Sequence, residues 1–154
     1  MGDFSIKSYD ELREPQKAVV KAAKAAIENS YSPYSKFEVG AALLLDDGKI
    51  ITGSNQENMA YPSGTCAERA ALFAYGSSGS TAKIEILAVF ARHHGSHELA
   101  PGAPCGGCRQ VMLEYEIKQQ KPFSVIFMDD NKYVITASSK DLLPYHFHLD
   151  NPNE

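Results

Sequence analysis

"KIEILAVFA" (Lys83–Ala91) and "FSVIFMD" (Phe123–Asp129) are apolar runs rich in Ile, Val and Phe, and "CGGCRQVMLEYEIKQQ" (Cys105–Gln120) stands between them. Each run has the length and β-branched or aromatic content of a buried strand, and the spacer reads as a helix opening on two glycines. Working back along the chain, "CAERAALFAYG" (Cys66–Gly76) is helical and is expected to close on its glycine. "FEVGAALLL" (Phe37–Leu45) and "KIITGSN" (Lys49–Asn55) flank "DDG" and read as a β-hairpin. Pro15 suits a first helical turn, and Val19, Val20, Ala22, Ala23, Ala26 and Ile27 then mark an apolar face to about Asn29. Toward the end, "DN" turns into a short strand, "KYVIT", followed by a capped short helix at "SSKDLLP" and an aromatic, histidine-containing tail. The order is α-β-β-α-β-α-β-β-α. Its natural packing is a three-layer α/β/α sandwich around a mixed five-stranded sheet. Residues 1–14 are polar, lack a period and are taken as an extension of uncertain structure. Residues 15–154 are read as a single domain, long enough to bury a core without staples.

Composition narrows the function. A hydrophobic content of 44% and a charged content of 22% are ordinary for a globular protein. The first residues hold no apolar run resembling a secretion signal, and no segment has the length and apolarity of a membrane span, so a cytoplasmic, reducing location is expected. The net charge of −4 and the absence of any Lys/Arg cluster argue against nucleic acid as a partner. "KAVVKAAKAA" carries three lysines, but reads as a solvated helix face. The expected substrate is small and not strongly anionic.

Three cysteines, Cys66, Cys105 and Cys108, are an odd number for disulfides and one short of a closed structural zinc site. Cys105 and Cys108 share one face of a first helical turn, where free N–H groups and the helix dipole favour thiolate. Cys66 opens the earlier helix in the same way. In a βαβα layout helix starts gather along one sheet edge, so all three can meet. Three thiolates suit Zn²⁺ and leave its fourth position open for water, whose pKa bound zinc lowers to about 7. Glu68, two residues after Cys66, can overhang that position as a proton carrier, and Arg69 can offset the charge of the thiolates. A thioredoxin-like redox pair is one alternative. A structural zinc site with a histidine fourth ligand is another, with His93, His94, His97, His146 and His148 available.

"YSPYSKFEVGAALL", "GSNQENMAYPSGTCAERAAL", "PCGGCRQV" and "DLLP" together resemble, in order and spacing, the zinc-dependent cytidine deaminases, in the small form whose ligands are three cysteines. The resemblance implies a zinc-dependent enzyme, with one Zn²⁺ per subunit, that hydrolyses cytidine to uridine and ammonia in pyrimidine salvage. It implies Cys66, Cys105 and Cys108 as zinc ligands and Glu68 as the proton carrier. It assigns the Ala67 N–H to the pyrimidine O2, Phe37 to the base, and Asn55 and Glu57 to the ribose 3′-hydroxyl. A grip on the 3′ side would admit 2′-deoxycytidine as well. The resemblance also implies a homotetramer in which Tyr61 and Phe147 contribute across subunit interfaces. Met59 departs from the small residue usual in the family and bears on the exact preference. The rival readings are a deaminase of another cytosine-bearing small molecule, such as blasticidin S, and a non-catalytic zinc-stabilised binding module. "NQEN" favours the plain nucleoside, and Glu68 argues against the module.

Overall fold

β2 (Phe37–Leu45) sends alternate side chains to opposite sides, and each side meets its own core. Ala41, Leu43 and Leu45 pack with Leu72, Met112 and Phe123, whereas Ala42 and Leu44 pack with Val19, Val20 and Ala23. The computed structural model, which describes residues 2–150, is therefore three-layered. α1 (Glu14–Ala26) covers one face of the sheet, and α2 (Ala67–Ser77) with α3 (Gly106–Gln119) covers the other.

The remaining strands are β1 (Phe4–Lys7), β3 (Ile50–Ser54), β4 (Ile84–His93), β5 (Ser124–Asp129) and β6 (Lys132–Thr136). They lie in the order β1-β6-β5-β4-β2-β3. β4 and β5 are parallel, joined through α3, and every other neighbouring pair is antiparallel. The mixed α/β/α sandwich is as expected, but the sheet has six strands, not five. The sixth comes from the extension: Phe4–Lys7 pairs with β6, from Phe4 opposite Thr136 to Lys7 opposite Tyr133. It is held by backbone pairing, with Phe4 and Ile6 left exposed, so it lacks the apolar signature of a buried strand.

Two turns follow their residue chemistry. Gly48 closes the β2–β3 hairpin at φ 87°, and Asp130 and Asn131 both take positive φ, 44° and 59°, between β5 and β6. α2 runs past Gly76 to Ser77, because that glycine makes room for the Tyr115 hydroxyl and does not terminate the helix. The sequence "SSKDLLP" forms a 3₁₀ turn at Ser139–Leu142, capped by Ser138 accepting from the Lys140 N–H.

β3 and α2 lie unusually close. A Cβ placed at Gly53 would stand 2.5 Å from both the Ala67 carbonyl oxygen and the Ala71 nitrogen. The glycine thus sets the height of the helix N-terminus above the sheet. That N-terminus carries Cys66, Ala67 and Glu68.

Candidate active site

Cys66 and Cys105 are the N-cap residues of α2 and α3, both with extended backbone, and Cys108 sits in the first turn of α3. The two helices start side by side, so sulfurs separated by about 40 positions in sequence meet: the three Sγ atoms lie within 4.8 Å of one another. Among the described residues this is the one group of His, Cys, Asp and Glu side chains that could hold a metal ion. Cys108 is buried, Cys66 half-buried and Cys105 exposed.

The cluster is built for a cation. The hydrogen bond between Cys66 and Cys108 and the Arg69 guanidinium draw the Cys66 thiol down to about 5. Arg69 Nη2 donates to Cys66 Sγ at 3.2 Å. Cys108 is pushed up by that same bond to Cys66 and by burial. Without a metal the group thus favours one thiolate at Cys66 beside a protonated Cys108. A dication supplies the charge that lets all three ionise, and three sulfurs at Zn–S distances of about 2.3 Å match this spacing. The donor set is soft and all-sulfur, which selects zinc over magnesium or calcium.

The cluster borders a cleft of about 460 Å³, a size suited to a small organic molecule. Phe37, Asn55, Glu57, Tyr61, Cys66, Ala67, Glu68, Arg69 and Cys105 all line it. Glu68 is 5% exposed, and burial, reinforced by the charge of Cys66, pushes its carboxyl up to about 6. Asn55 follows the last residue of β3, and its amide donates to the Phe37 carbonyl. Glu57 Oε1 accepts the N–H groups of Tyr34 and Ser35 at 3.1 and 3.2 Å, and these bonds hold the carboxyl below its usual range although partial burial opposes them.

One expected residue stands apart. Phe147 is 72% exposed and does not line the cleft, and its carbonyl accepts from Gln110 Nε2. Tyr61 lines the cleft yet is 74% exposed, with its ring 5.8 Å from that of Tyr34. Met59 is exposed. Sequence reasoning missed the far wall, Gly102 and Ala103, although both directly precede the Pro104–Cys105 pair that it singled out. The loop bearing them is pinned by Gly102 N–H to the Met128 carbonyl and by Arg109 Nε to the Pro104 carbonyl. The histidines lie elsewhere. His93 packs its ring 5.2 Å from that of Phe37, and His94 Nδ1 pairs with Glu38 Oε1 at 2.9 Å.

Comparison with known proteins gives a consistent picture. A family model described as the cytidine and deoxycytidylate deaminase zinc-binding region matches residues 13–123. A cytidine deaminase of Halalkalibacterium halodurans is 38% identical over 136 residues, 88% of this chain and 96% of that one. Among solved structures, a cytidine deaminase from Burkholderia pseudomallei superposes with a TM-score of 0.69 at 42% identity, covering 84% of this chain and 97% of its own. Another, from Mycobacterium tuberculosis, gives 0.65 at 35% identity, covering 86% and 96%.

Proposed function

Since the chain belongs to the zinc-binding family of cytidine and deoxycytidylate deaminases, we propose that it hydrolyses cytidine and 2′-deoxycytidine to uridine and 2′-deoxyuridine, releasing ammonia, in pyrimidine salvage. The observation that carries this reading is a buried carboxyl, Glu68, on the floor of a nucleoside-sized cleft and beside three clustered thiols.

Cys66, Cys105 and Cys108 would hold the zinc, with Arg69 offsetting part of their charge through Cys66. When bound, zinc supplies a Lewis acid that makes hydroxide available at neutral pH. Glu68 accepts one proton of the attacking water on a carboxylate oxygen and passes it to ring N3, then takes the water's second proton from the hydroxyl left on C4 and delivers it to the departing amine. Its burial keeps bulk water from competing for that proton. The Ala67 N–H, an unpaired donor of the first helical turn, holds the pyrimidine O2. Phe37 packs on the base. Asn55 and Glu57 receive the sugar 3′-hydroxyl, one as donor and one as acceptor.

Among the described residues Arg69 is the only Lys or Arg lining the cleft, and it already serves Cys66. Neutral nucleosides therefore suit the cleft better than nucleotides. We read residues 15–154 as the catalytic domain and the assembly as a cytoplasmic homotetramer with neither nucleic acid nor membrane as partner. The exposed Tyr61 and Phe147 support the tetramer, since they present aromatic surface where a neighbouring subunit could cover it. No helix among the described residues is long and apolar enough to cross a membrane.

An ultraviolet assay against cytidine, 2′-deoxycytidine, their monophosphates and blasticidin S, with zinc content measured alongside, tests the proposal. Turnover of both nucleosides at one zinc per chain is the expected result. Turnover of blasticidin S alone would replace the substrate assignment, and zinc without any turnover would leave a binding module.

A further inference from the structure

Asn55 lines the cleft, yet most of its amide is committed inside the protein. Nδ2 donates to the Phe37 carbonyl at 2.9 Å, and Oδ1 accepts from the Val39 N–H at 2.9 Å. One of these neighbours can only accept and the other can only donate, so they fix which end of the amide is oxygen. The second lone pair of Oδ1 receives the Ser30 hydroxyl, 2.5 Å away. That hydroxyl has a single proton and spends it on Asn55. Ser32 Oγ, 3.2 Å from Ser30 Oγ, must then be the donor in its pair with Ser30.

Ser32, Ser30 and Asn55 therefore form a line in which each group donates to the next. Both lone pairs of the amide oxygen are filled, and what remains for the cleft is one N–H, which has no partner among the described residues. On Glu57, Oε1 is held by two backbone N–H groups, and Oε2 has no hydrogen bond within 3.5 Å among the described residues and can accept. The cleft thus presents one fixed donor and one fixed acceptor, the pair that a single hydroxyl satisfies.

We propose that Ser30, backed by Ser32, is a positioning residue for sugar recognition, holding Asn55 as a donor only. This rests on the reading above that Asn55 and Glu57 receive the sugar 3′-hydroxyl. Ser30 never touches substrate. It acts by keeping the Asn55 oxygen from competing for the hydroxyl proton that Glu57 takes.

The segment tolerates the test. Its backbone is tied independently, by Tyr31 N–H to the Asn55 carbonyl and Glu57 N–H to the Tyr31 carbonyl, and the Asn55 oxygen keeps its Val39 bond in Ser30→Ala. In the zinc-loaded enzyme, Ser30→Ala is expected to lower kcat/KM for cytidine about fivefold, the worth of one neutral hydrogen bond. The loss should fall on KM, with kcat nearly unchanged, and Ser30→Thr should restore it. With 3′-deoxycytidine as substrate, Ser30→Ala and wild type should be equal. An equal loss on both substrates, or a loss confined to kcat, would mean a merely structural role and overturn the inference. Asn55→Ala separates the premises. If it leaves the preference for cytidine over 3′-deoxycytidine intact, the sugar reading itself fails. If it removes that preference while Ser30→Ala does not, Ser30 has no positioning role.

Discussion

Glu68 and Glu116 are the two buried charged side chains among the described residues, and the neighbours of Glu68 in sequence explain why it is tolerated. Ala67 and Arg69 place it in the first turn of α2, where the helix dipole favours a carboxylate, and beside a thiol cluster that a dication neutralises. The proton transfer proposed for it requires a group that ionises and reprotonates within one turnover. A glutamine matches it in shape and cannot. Glu68→Gln is therefore expected to lower kcat by about 10²- to 10⁴-fold, the usual worth of general acid–base catalysis, while zinc content stays at one per chain. Metal analysis and single-turnover ammonia release check both halves. Retained turnover would remove Glu68 from the mechanism, and lost zinc would make it structural. At this scale the metal cluster was legible in the sequence, because a three-residue cysteine spacing at a helix start is local chemistry. The Ser30–Asn55 bond was not: it joins residues 25 positions apart and leaves no periodic trace.

Elements determine whether these residues meet. The N-terminus of α2 delivers Cys66 and Glu68 to the cluster only because Gly53 on β3 lets the helix backbone come down onto the sheet. In Gly53→Ala the new methyl group would strike backbone atoms, which cannot rotate away. The helix must lift instead. Overpacking of this kind costs about 1–3 kcal/mol, so the melting temperature should fall. Because the lift acts at the end that carries Cys66, zinc affinity should weaken as well. Chelator competition measures the second effect independently of stability. A variant with normal zinc affinity and a lowered melting temperature would show that the cluster adapts to the shift. The long elements, β2, β4, β5 and α3, could be read from the sequence because each commits many apolar residues to one environment. β1 could not, since four residues held through backbone pairing need no apolar pattern.

At the scale of the whole molecule, charge ties the edges of the layers together. Arg92, near the end of β4, donates to Glu38 on β2 at 2.6 Å and to Glu28, in the turn after α1, at 2.7 Å. His94 adds its bond to Glu38. The Glu38 carboxyl is held below its usual range, first by His94 and then by Arg92, and Glu28 is held down by Arg92. A carboxylate with a depressed folded-state pKa stabilises the protein above its unfolded value of about 4.3 and loses that contribution as pH falls through the folded value. The contribution of these two carboxylates should thus be constant near neutrality and be lost on acidification below about pH 4.5, lowering the melting temperature there. In Arg92→Met the neutral value should be lower and the acid fall shallower, because less of the folded state then depends on these two carboxylates. Scanning calorimetry from pH 7 to 3.5 follows both curves, and parallel curves would dismiss the network as a source of acid sensitivity.

The extension poses the last question of the same scale, whether the sixth strand belongs to the catalytic unit. It touches β6, α1 and the segment from Ala137 to Asp141, none of which lines the cleft. Phe4–Lys7 pairs only with β6, and the Tyr9 ring packs 6.0 Å from that of Tyr133, with Lys24 Nζ lying 5.4 and 5.0 Å from the two ring centroids. The family match begins at residue 13, after this segment, and Leu12 is the first of the described residues to be buried in the core. Removal of residues 2–9 would uncover β6 as an edge strand and take Tyr9 from the Lys24 cluster, yet leave every cleft residue in place. Turnover per zinc should remain within about twofold of the full chain. The melting temperature should drop, and light scattering on heating should set in earlier, because an uncovered edge strand offers its free N–H and C=O groups to other chains. A truncated chain that folds but turns over slowly would instead place the extension within the catalytic unit.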